Sequence, residues 1–500
     1  MNRNSDRRSF MRATAGAVGG LGMFPELALG QQQKKSPQDN YSVPSHLSMH
    51  NALSVVLGRA SDQSITANLL ADDAIEVILE YGTGANSLQK KTQPLTLQAG
   101  QPMELSLTGL SPNTRYAYRV QYRTPGQQAF QARPICQFHT QRSPGSNFTF
   151  CVQGDSHPER PQMSEPNLYA QTLLHAASCN PDLYICMGDD FSVDKVRTVD
   201  TESLTAPYVL QRPFLSLIAQ TASLYLVNGN HEQASLYNFN QKDELHEVAV
   251  GVQQARNQLF PMPATESIYT GDTQHFDGIG LLRDYYAWTW GDALFVVLDN
   301  YWHSPAMVDG GFKGAGRKKE QGKRNRDGWG ITIGDEQYQW FKKTLEESQS
   351  KFKFVFAHHV MGSGRGAVEL SDSFEWGGNG KGASDDFKTH RPGWELPIHQ
   401  LMAKHDVSIF FQGHDHLYAR QERDGVVYQE VPLPADPFYA THNEDAYKSG
   451  VKQSNSGYLR VTVSSDEAKV DYVRCWLPKD ETGTQKTGDI AHSYSIKAQA

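Results

Sequence analysis

Five short polar clusters in this 500-residue chain each follow an apolar run that predicts a buried strand. They carry aspartates, histidines and one asparagine, whose side chains are oxygen and nitrogen donors. A single histidine at a strand end is usually a structural hydrogen-bonding group, so the inference depends on the agreement of all five. In chain order the clusters are Gly154-Asp155-Ser156-His157, Gly188-Asp189-Asp190, Gly229-Asn230-His231-Glu232, Ala357-His358-His359 and Gly413-His414-Asp415-His416.

These donors form a set suited to transition-metal ions. Carboxylate, imidazole and amide groups together match Mn, Fe or Zn, and the clusters hold no thiolate of the kind that a structural zinc site uses. Two ions about 3.5–4 Å apart that share one carboxylate need roughly seven donors, and the clusters contain enough. The sequence therefore predicts a binuclear metal centre.

The elements that must position these donors alternate between strands and helices from residue 147 onward, which predicts a layered α/β domain. In such folds, ligand sites form at the carboxyl ends of the strands. The strands that carry the clusters are predicted at 148–152, 183–187, 222–227, 352–356 and 407–411. Helices are predicted at 166–178, 208–221, 335–347 and 394–405. Two strands are expected within 286–298, and antiparallel strands at 426–431 and 458–475 are expected to close the second sheet.

The segment before this domain, from about residue 45 to 140, shows short alternating strands separated by turn residues. Its clearest part is Leu110–Val120, where Pro112 and Asn113 turn the chain before an alternating aromatic strand. This pattern predicts a β-sandwich. The Leu-x-Pro-x-Thr-x-Tyr-x-Tyr-x-Val run resembles the fibronectin type III-like module that precedes the catalytic domain of purple acid phosphatases.

The N-terminus resembles a twin-arginine export signal. Arg7 and Arg8 precede a mildly apolar run, 13–24, that is too short and too rich in Gly to span a bilayer. We therefore expect an exported protein, periplasmic or secreted, with no membrane association after signal cleavage. The predicted organisation is a signal peptide at 1–30, a linker at 31–44, the sandwich at 45–142, the catalytic domain at 147–475 and a C-terminal strand or tail at 476–500.

The charge of the chain limits its partners, and its cysteine content limits the disulfides it can form. The chain has 47 basic and 55 acidic side chains, a formal charge of −8, which argues against nucleic acid as a stable partner. The five cysteines are irregularly spaced and include no CxxC pair, so no disulfide framework is indicated, although one disulfide stays open.

The five clusters, in their order, resemble the five sequence blocks of the calcineurin-like metallophosphoesterase superfamily. With a sandwich in front, the layout is most similar to purple acid phosphatases. This resemblance implies a four-layer α/β/β/α catalytic domain after an all-β fibronectin type III-like sandwich.

The resemblance also implies a role for each block. The first metal ion would be held by Asp155, His157 and His416, the second by Asn230, His358 and His414, and Asp189 would bridge them. The catalytic residues would be His231, Asp155 and Glu232. A hydroxide between the metals would attack phosphorus while His231, oriented by Glu232, assists the leaving group. Asn230 and Arg160 would bind substrate.

Two positions depart from the purple enzymes. Those enzymes have a metal-binding Tyr three residues after the second-block aspartate, where this chain has Ser192, and they lack a histidine at the position of His157. Both differences favour the non-purple branch. In the fourth block, either His358 or the adjacent His359 could be the ligand, and the family context favours His358.

Other polar residues near the blocks allow two interpretations. Arg160 could bind a phosphate oxygen or be a solvated surface residue, and Asp190 and Asp194 could support the site or simply be exposed. The basic segment 312–326 could be a solvated loop or a lid that attracts an anionic substrate.

The function that follows is an exported phosphohydrolase that depends on two divalent or trivalent transition-metal ions, Fe, Mn or Zn, and acts on small-molecule phosphate esters. Phosphomonoesters are favoured. The alternatives are a phosphodiesterase or nucleotide hydrolase on the same core, or a non-catalytic surface-binding protein. The sequence gives neither the metal, the physiological substrate nor the oligomeric state.

Overall fold

The structure is a computed structural model. It describes residues 41–46, 53–196, 198–232, 247–305, 308, 328–362, 364–380, 382 and 384–499. The predicted signal peptide at 1–30, most of the predicted linker and the basic segment 312–326 lie outside the described residues.

The first part of the described chain contains two antiparallel sheets, as the sequence pattern predicts. Their strands are β1 Leu53–Gly58, β2 Ser64–Ala71, β3 Ile75–Gly82, β4 Lys90–Lys91, β5 Leu95–Leu97, β6 Met103–Thr108, β7 Arg115–Arg123, β8 Gln131–Ala132 and β9 Cys136–His139. One sheet has the order β1-β2-β6; the other has β4-β3-β7-β8, with β5 on β3 and β9 on β7. Alternate residues such as Val77 and Leu79 of β3 are buried, which gives the sandwich its core.

The described part of the second domain contains two larger sheets and one small hairpin. Its strands are β10 Phe148–Gln153, β11 Leu183–Cys186, β12 Ser223–Leu226, β13 Thr270–Gly271, β14 His275–Phe276, β15 Gly280–Leu281, β16 Tyr286–Trp290, β17 Ala293–Val297, β18 Phe352–Phe356, β19 Ile409–Gln412, β20 Tyr418–Arg423, β21 Val426–Glu430, β22 Val451–Gln453, β23 Gly457–Val463, β24 Glu467–Arg474 and β25 Ile490–Lys497. Sheet one has the order β12-β11-β10-β23-β24-β25, and sheet two has β13-β16-β17-β18-β19-β21-β20-β22. The hairpin is β14-β15.

The two sheets pack face to face through aromatic side chains. Phe150 of β10 lies with its ring centroid 5.1 Å from that of Phe295 on β17 and 5.3 Å from that of Phe354 on β18. These contacts bury large apolar surface between the sheets.

Helices cover the outer faces. In the part of the chain that the structure describes, the α-helices are Pro166–Ser178, Thr201–Ala219, Glu247–Leu259, Asp335–Glu347, Phe374–Gly377, Phe387–His390 and Ile398–Lys404, and short 3₁₀ helices lie at Gly328–Gly330, Glu444–Ala446 and Pro478–Asp480. The helix Pro166–Ser178 packs on sheet one at β23. On sheet two, Phe341 of one helix and Leu401 of another share a buried cluster with Val355 of β18. The four-layer α/β/β/α arrangement is thus confirmed.

Three details differ from the sequence-based expectations. The segments 426–431 and 458–475 were expected to close one sheet, but β21 pairs with β19 in sheet two, whereas β23 and β24 extend sheet one. Alternation identifies a strand without identifying its neighbour, and this is why the expectation failed. The helix expected at 394–405 is shorter, Ile398–Lys404, and the one expected from residue 208 begins at Thr201.

All five cysteines are free thiols, so the disulfide that the sequence left open is not formed. Among the described residues, none of the helices combines the length and the apolar character that crossing a membrane requires.

Candidate metal centre

Both sheets bring the ends of their parallel strands to one place. In sheet one, β10, β11 and β12 run parallel and deliver Asp155, Asp189 and Asn230 at their carboxyl ends. In sheet two, β18 and β19 run parallel and deliver His358 and the pair His414 and His416. Because the two sheets pack face to face, the polar ends converge between them.

One cluster consists of Asp155, His157 and His416, whose donor atoms all lie within 4.8 Å of one another. Nε2 of His416 is 3.0 Å from Oδ2 of Asp155 and 3.2 Å from Nε2 of His157. All three residues are buried. Two imidazole nitrogens and one carboxylate oxygen therefore surround a common point.

The second cluster consists of Asp189, His358 and His414, with the amide oxygen of Asn230 among them. Oδ1 of Asn230 lies 3.2 Å from Nε2 of His358 and 3.0 Å from Nδ1 of His414. Oδ2 of Asp189 is 3.3 Å from Nε2 of His358.

Asp189 lies between the two clusters. The same oxygen that faces His358 is 3.7 Å from Nε2 of His157 in the first cluster. Its other oxygen accepts a hydrogen bond from the backbone N–H of His231 at 2.9 Å, which fixes the carboxylate in this position. One carboxylate oxygen is thus placed to serve both clusters.

The hydrogen bonds of the histidines test whether this donor set fits metal ions. Nδ1 of His358 donates to the Met187 carbonyl at 2.8 Å, and Nε2 of His414 donates to the Gly364 carbonyl at 3.2 Å. In each ring the other nitrogen then faces the Asn230 oxygen. Nδ1 of the neutral His414 ring thus directs a lone pair at an oxygen, which is repulsive unless a cation lies between them, so the set fits a metal ion.

Charge leads to the same conclusion. Burial lowers the pKa of His157 and of His414 well below the usual value, so both rings stay neutral and can act as ligands. Burial also opposes a charge on His358, but Asp189 and Asp155 raise its pKa to about 10. A bound cation would provide the positive charge that these carboxylates otherwise draw from the imidazole.

The turns that carry the donors have unusual backbone conformations. His157, Asp189, His414 and His416 have φ values of 41°, 57°, 78° and 61°, in the left-handed region that non-glycine residues rarely occupy. Each such residue costs of the order of 1 kcal/mol, and such strain concentrates at functional sites. A Cβ at Gly413 would lie 2.4 Å from Oδ1 of Asp155, so this turn requires glycine.

His231 lies beside the first cluster and outside both ligand sets. Its ring centroid is 5.3 Å from that of His157. Nδ1 is 2.6 Å from Oδ2 of Asp194, and Nε2 is 2.7 Å from a guanidinium nitrogen of Arg160. Burial lowers the pKa of His231, but the carboxylates of Asp189 and Asp194 outweigh it and raise the pKa to about 9. The ring is thus held between the carboxylate of Asp194 and the guanidinium of Arg160.

The expected pairing of Glu232 with His231 is wrong. The Glu232 carboxylate accepts hydrogen bonds from four backbone N–H groups, so both its oxygens are used in holding two loops together. The donors are the backbone amides of Asp189, Asp190, Phe191 and Gly229, at 2.7–3.0 Å. A carboxylate oxygen of Asp194 instead lies 2.6 Å from Nδ1 of the His231 ring.

Arg160 and Asp190 are not solvated surface residues. The Arg160 side chain is only 12% exposed, and besides His231 it contacts Glu159 at 3.2 Å, so it belongs to the site and not to the open surface. Asp190 is fully buried and accepts hydrogen bonds from Ser156 at 2.6 Å and Gln153 at 2.7 Å, which supports the loop between Asp155 and His157.

The fourth block places its two histidines differently. His358 lies in the second cluster, whereas Nε2 of His359 is 3.8 Å from Oδ2 of Asp415 and is not among the donors of that cluster. Ser192, at the position where the purple enzymes have Tyr, follows Phe191, whose ring packs against Tyr208.

Sequence reasoning missed one residue of the site. Oε1 of Glu159 lies 3.1 Å from Nδ1 of His157 and thereby directs the opposite nitrogen of that ring towards Asp155 and His416. The only signal in the sequence was its position two residues after His157. The hydrogen bond itself depends on the left-handed conformation of His157, which the sequence did not predict.

The family of the chain follows from a sequence comparison. The model of the calcineurin-like phosphoesterase family matches residues 148–418, which contain all five blocks. The chain belongs to this family and is a phosphatase-type hydrolase. Its two His/Asp clusters indicate a dinuclear metal centre. No curated protein sequence gives a significant match.

Two solved structures share the fold. The structure of PhoD is 16% identical over 91% of each chain, with a TM-score of 0.59. The purple acid phosphatase PPD1 from yellow lupin (Lupinus luteus) seeds is 16% identical over 89% of this chain and 74% of its own, with a TM-score of 0.54. These similarities concern the fold and include the all-β part that precedes the catalytic domain.

Proposed function

We propose that the protein is a binuclear metal-dependent phosphohydrolase that acts on small phosphate monoesters. The observation that carries this proposal is the position of Asp189. Its Oδ2 lies within 3.7 Å of a ligand nitrogen in each cluster, and the His231 ring adjoins the first cluster. Such an arrangement provides a paired metal site with a proton donor beside it.

The residues that would hold the metals follow from the two clusters. Asp155, His157 and His416 would hold one ion, and the other would be held by Asn230, His358 and His414, with Asp189 shared. Two such ions, when bound, acidify a water molecule and neutralise charge on the phosphoryl group.

The proton for the leaving oxygen would come from Nε2 of His231. Asp194 accepts a hydrogen bond from Nδ1 at 2.6 Å and so fixes the ring. Before substrate binds, Nε2 accepts a hydrogen bond from Arg160 at 2.7 Å, so it takes up its proton only once the guanidinium has moved away. A phosphate anion would attract the guanidinium and leave Nε2 facing the leaving oxygen. The Arg160 guanidinium would add positive charge at the phosphoryl group, beside the metal ions. This additional charge favours binding of a monoester dianion over binding of a diester.

The experiment combines metal analysis with hydrolysis of p-nitrophenyl phosphate and of its bis ester. We expect two metal ions per chain and a preference for the monoester. A preference for the bis ester would assign the core to diester hydrolysis. A chain that hydrolyses neither ester with Fe, Mn or Zn would refute catalysis and favour the non-catalytic surface-binding alternative.

Two variants test the assigned roles. Asp189→Asn should lower the occupancy of both metals together, since its carboxylate faces both clusters. His231→Ala should leave the metal content unchanged and lower kcat by about a hundredfold or more, as expected for loss of a general acid. Full activity in either variant would contradict the assignment.

We also propose that the chain is exported through its twin-arginine segment. The support is the Arg7-Arg8 pair before a short apolar run. Replacing both arginines by Lys should retain the protein in the cytoplasm on cell fractionation, whereas unchanged export would refute this proposal.

A further inference from the structure

Four imidazole rings form a continuous row across the first cluster. The ring centroids are 5.3 Å apart for His231 and His157, 5.0 Å for His157 and His416, and 6.1 Å for His416 and His442. The inner two rings belong to the cluster. The outer two adjoin different rings of the cluster, His231 next to His157 and His442 next to His416, and only His231 lies in a recognised sequence block.

The two flanking histidines have the same kind of support. Nδ1 of His231 lies 2.6 Å from a carboxylate oxygen of Asp194, and Nε2 of His442 lies 3.1 Å from Oδ2 of Asp436. In each case an aspartate holds one ring nitrogen, so the other can meet a ligand. The side chain of His442 is 30% exposed, which places it at the solvent side of the cluster.

The carboxylate that holds His442 is itself rigidly placed. Asp436 is fully buried and accepts hydrogen bonds from the backbone N–H groups of Phe438 at 2.9 Å and Ala440 at 3.0 Å. Asn455 donates to the same carboxylate at 3.2 Å and also to the backbone carbonyl of His416 at 2.8 Å. One side chain thus couples the loop of His442 to a candidate ligand.

A neighbouring contact fixes the end of this loop. Nδ2 of Asn443 donates to the carbonyl of Asp415 at 3.0 Å, between the two histidines of the fifth block. Asn443 adopts a left-handed conformation with φ 51°. The loop is therefore anchored to the metal-binding turn on both sides of His442, as a preorganised binding group requires.

From this geometry we infer that His442 is a substrate-binding residue with Asp436 as its positioning residue: Nε2 donates to Asp436, and the ring, placed between this carboxylate and a phosphate anion, takes up a second proton on Nδ1 and donates it in a hydrogen bond to a phosphoryl oxygen. Phosphate bound over the first cluster would then meet both His231, beside His157, and His442, beside His416. The inference rests on the proposed function only in that phosphate binds at the two clusters.

The test uses two substitutions that separate the two ring nitrogens. In His442→Gln the amide nitrogen can replace Nε2 and keep the contact with Asp436, but no donor remains at the position of Nδ1. In His442→Asn the amide nitrogen replaces Nδ1 and the contact with Asp436 is lost. If His442 binds substrate through Nδ1, His442→Asn should retain more phosphate affinity than His442→Gln. If its role is purely structural, His442→Gln should retain more.

The measurement is the affinity of the metal-loaded full chain for inorganic phosphate, by calorimetry. We expect His442→Gln to weaken phosphate binding about tenfold or more, since a hydrogen bond to a charged group is lost, and His442→Asn to weaken it less. Metal content should stay unchanged in both. The KM for p-nitrophenyl phosphate should rise in His442→Gln more than kcat falls.

The matched control is His399→Gln. His399 also pairs with an aspartate, Asp424, at 2.9 Å, but it lies on the helix Ile398–Lys404 over the outer face of sheet two. Its variant should bind phosphate as the unmodified chain does.

Wild-type affinity in His442→Gln would overturn the inference while leaving the proposed hydrolysis intact. Failure of the metal-loaded chain to bind phosphate would overturn it as well. A chain that binds phosphate with the expected order of affinities but hydrolyses no ester would support the inference and refute the proposed function.

Discussion

Replacing Glu232 by Gln tests whether this residue orients His231 or holds the metal-binding loops. Oε2 accepts hydrogen bonds from the N–H groups of Gly229 at 2.7 Å and Asp189 at 2.9 Å, and Oε1 accepts from those of Asp190 at 2.8 Å and Phe191 at 3.0 Å. In a glutamine one oxygen becomes an NH₂ group. Whichever way the amide is turned, that group faces two N–H donors.

The cost follows from counting these groups. A buried polar group left unsatisfied costs about 1–3 kcal/mol, so two orphaned amides should lower the free energy of unfolding by about 2–6 kcal/mol. A domain is stable by only about 5–15 kcal/mol. Because the affected loops carry Asp189, we also expect weaker binding of both metals. Urea unfolding without metal, together with metal analysis after reconstitution, measures both effects.

Asp194→Asn is the matched comparison. This side chain is 18% exposed and contacts the His231 ring, so its neutralisation should change stability by less than about 1 kcal/mol. We expect unchanged metal content and a kcat lowered about ten- to hundredfold, because His231 loses the acceptor that fixes it. If instead Glu232→Gln kept its stability and metals and lost kcat as Asp194→Asn does, the reasoning from the four amides would be refuted.

Two further predictions concern the turns and the pH dependence of stability. Gly413→Ala should lower metal occupancy, because its Cβ would lie 2.4 Å from Oδ1 of Asp155; Gly393→Ala, which meets nothing within 4 Å, is the control, and equal occupancy in both would contradict the steric argument. Burial, Asp284 and nearby groups raise the pKa of Asp299 to about 8, so the folded state binds a proton that the unfolded state has already released. Stability should therefore fall as pH rises from about 4 to 8, and Asp299→Asn should reduce that fall in thermal unfolding; parallel curves would count against this pKa.

The sequence predicted the parts of the fold and of the candidate site that depend on local patterns. Apolar runs located β10, β11, β12, β18 and β19, and a parallel register brings the residues after such strands to one edge. This is why the donor residues could be named before the structure was known.

What could not be predicted depends on contacts between distant segments. Position beside His231 suggested that Glu232 supports that ring, but three of the N–H groups that donate to it lie on a loop 41–43 residues earlier in the chain, at Asp189, Asp190 and Phe191. The pairing of β21 with β19 is of the same kind, since alternation of side chains does not choose a neighbouring strand.

The supporting carboxylates show why residue type alone does not assign a histidine's role. Glu159 faces Nδ1 of His157, Asp194 faces Nδ1 of His231, and Asp436 faces Nε2 of His442. In each ring the carboxylate determines which nitrogen is left for a metal ion or a phosphate. His157 then directs its remaining nitrogen into a cluster of donors, whereas His231 and His442 lie next to that cluster. A histidine paired with a carboxylate thus serves as a metal ligand in one place and as a substrate contact in another. The difference lies in the position of each ring along the row, which only the folded arrangement of the two sheets sets.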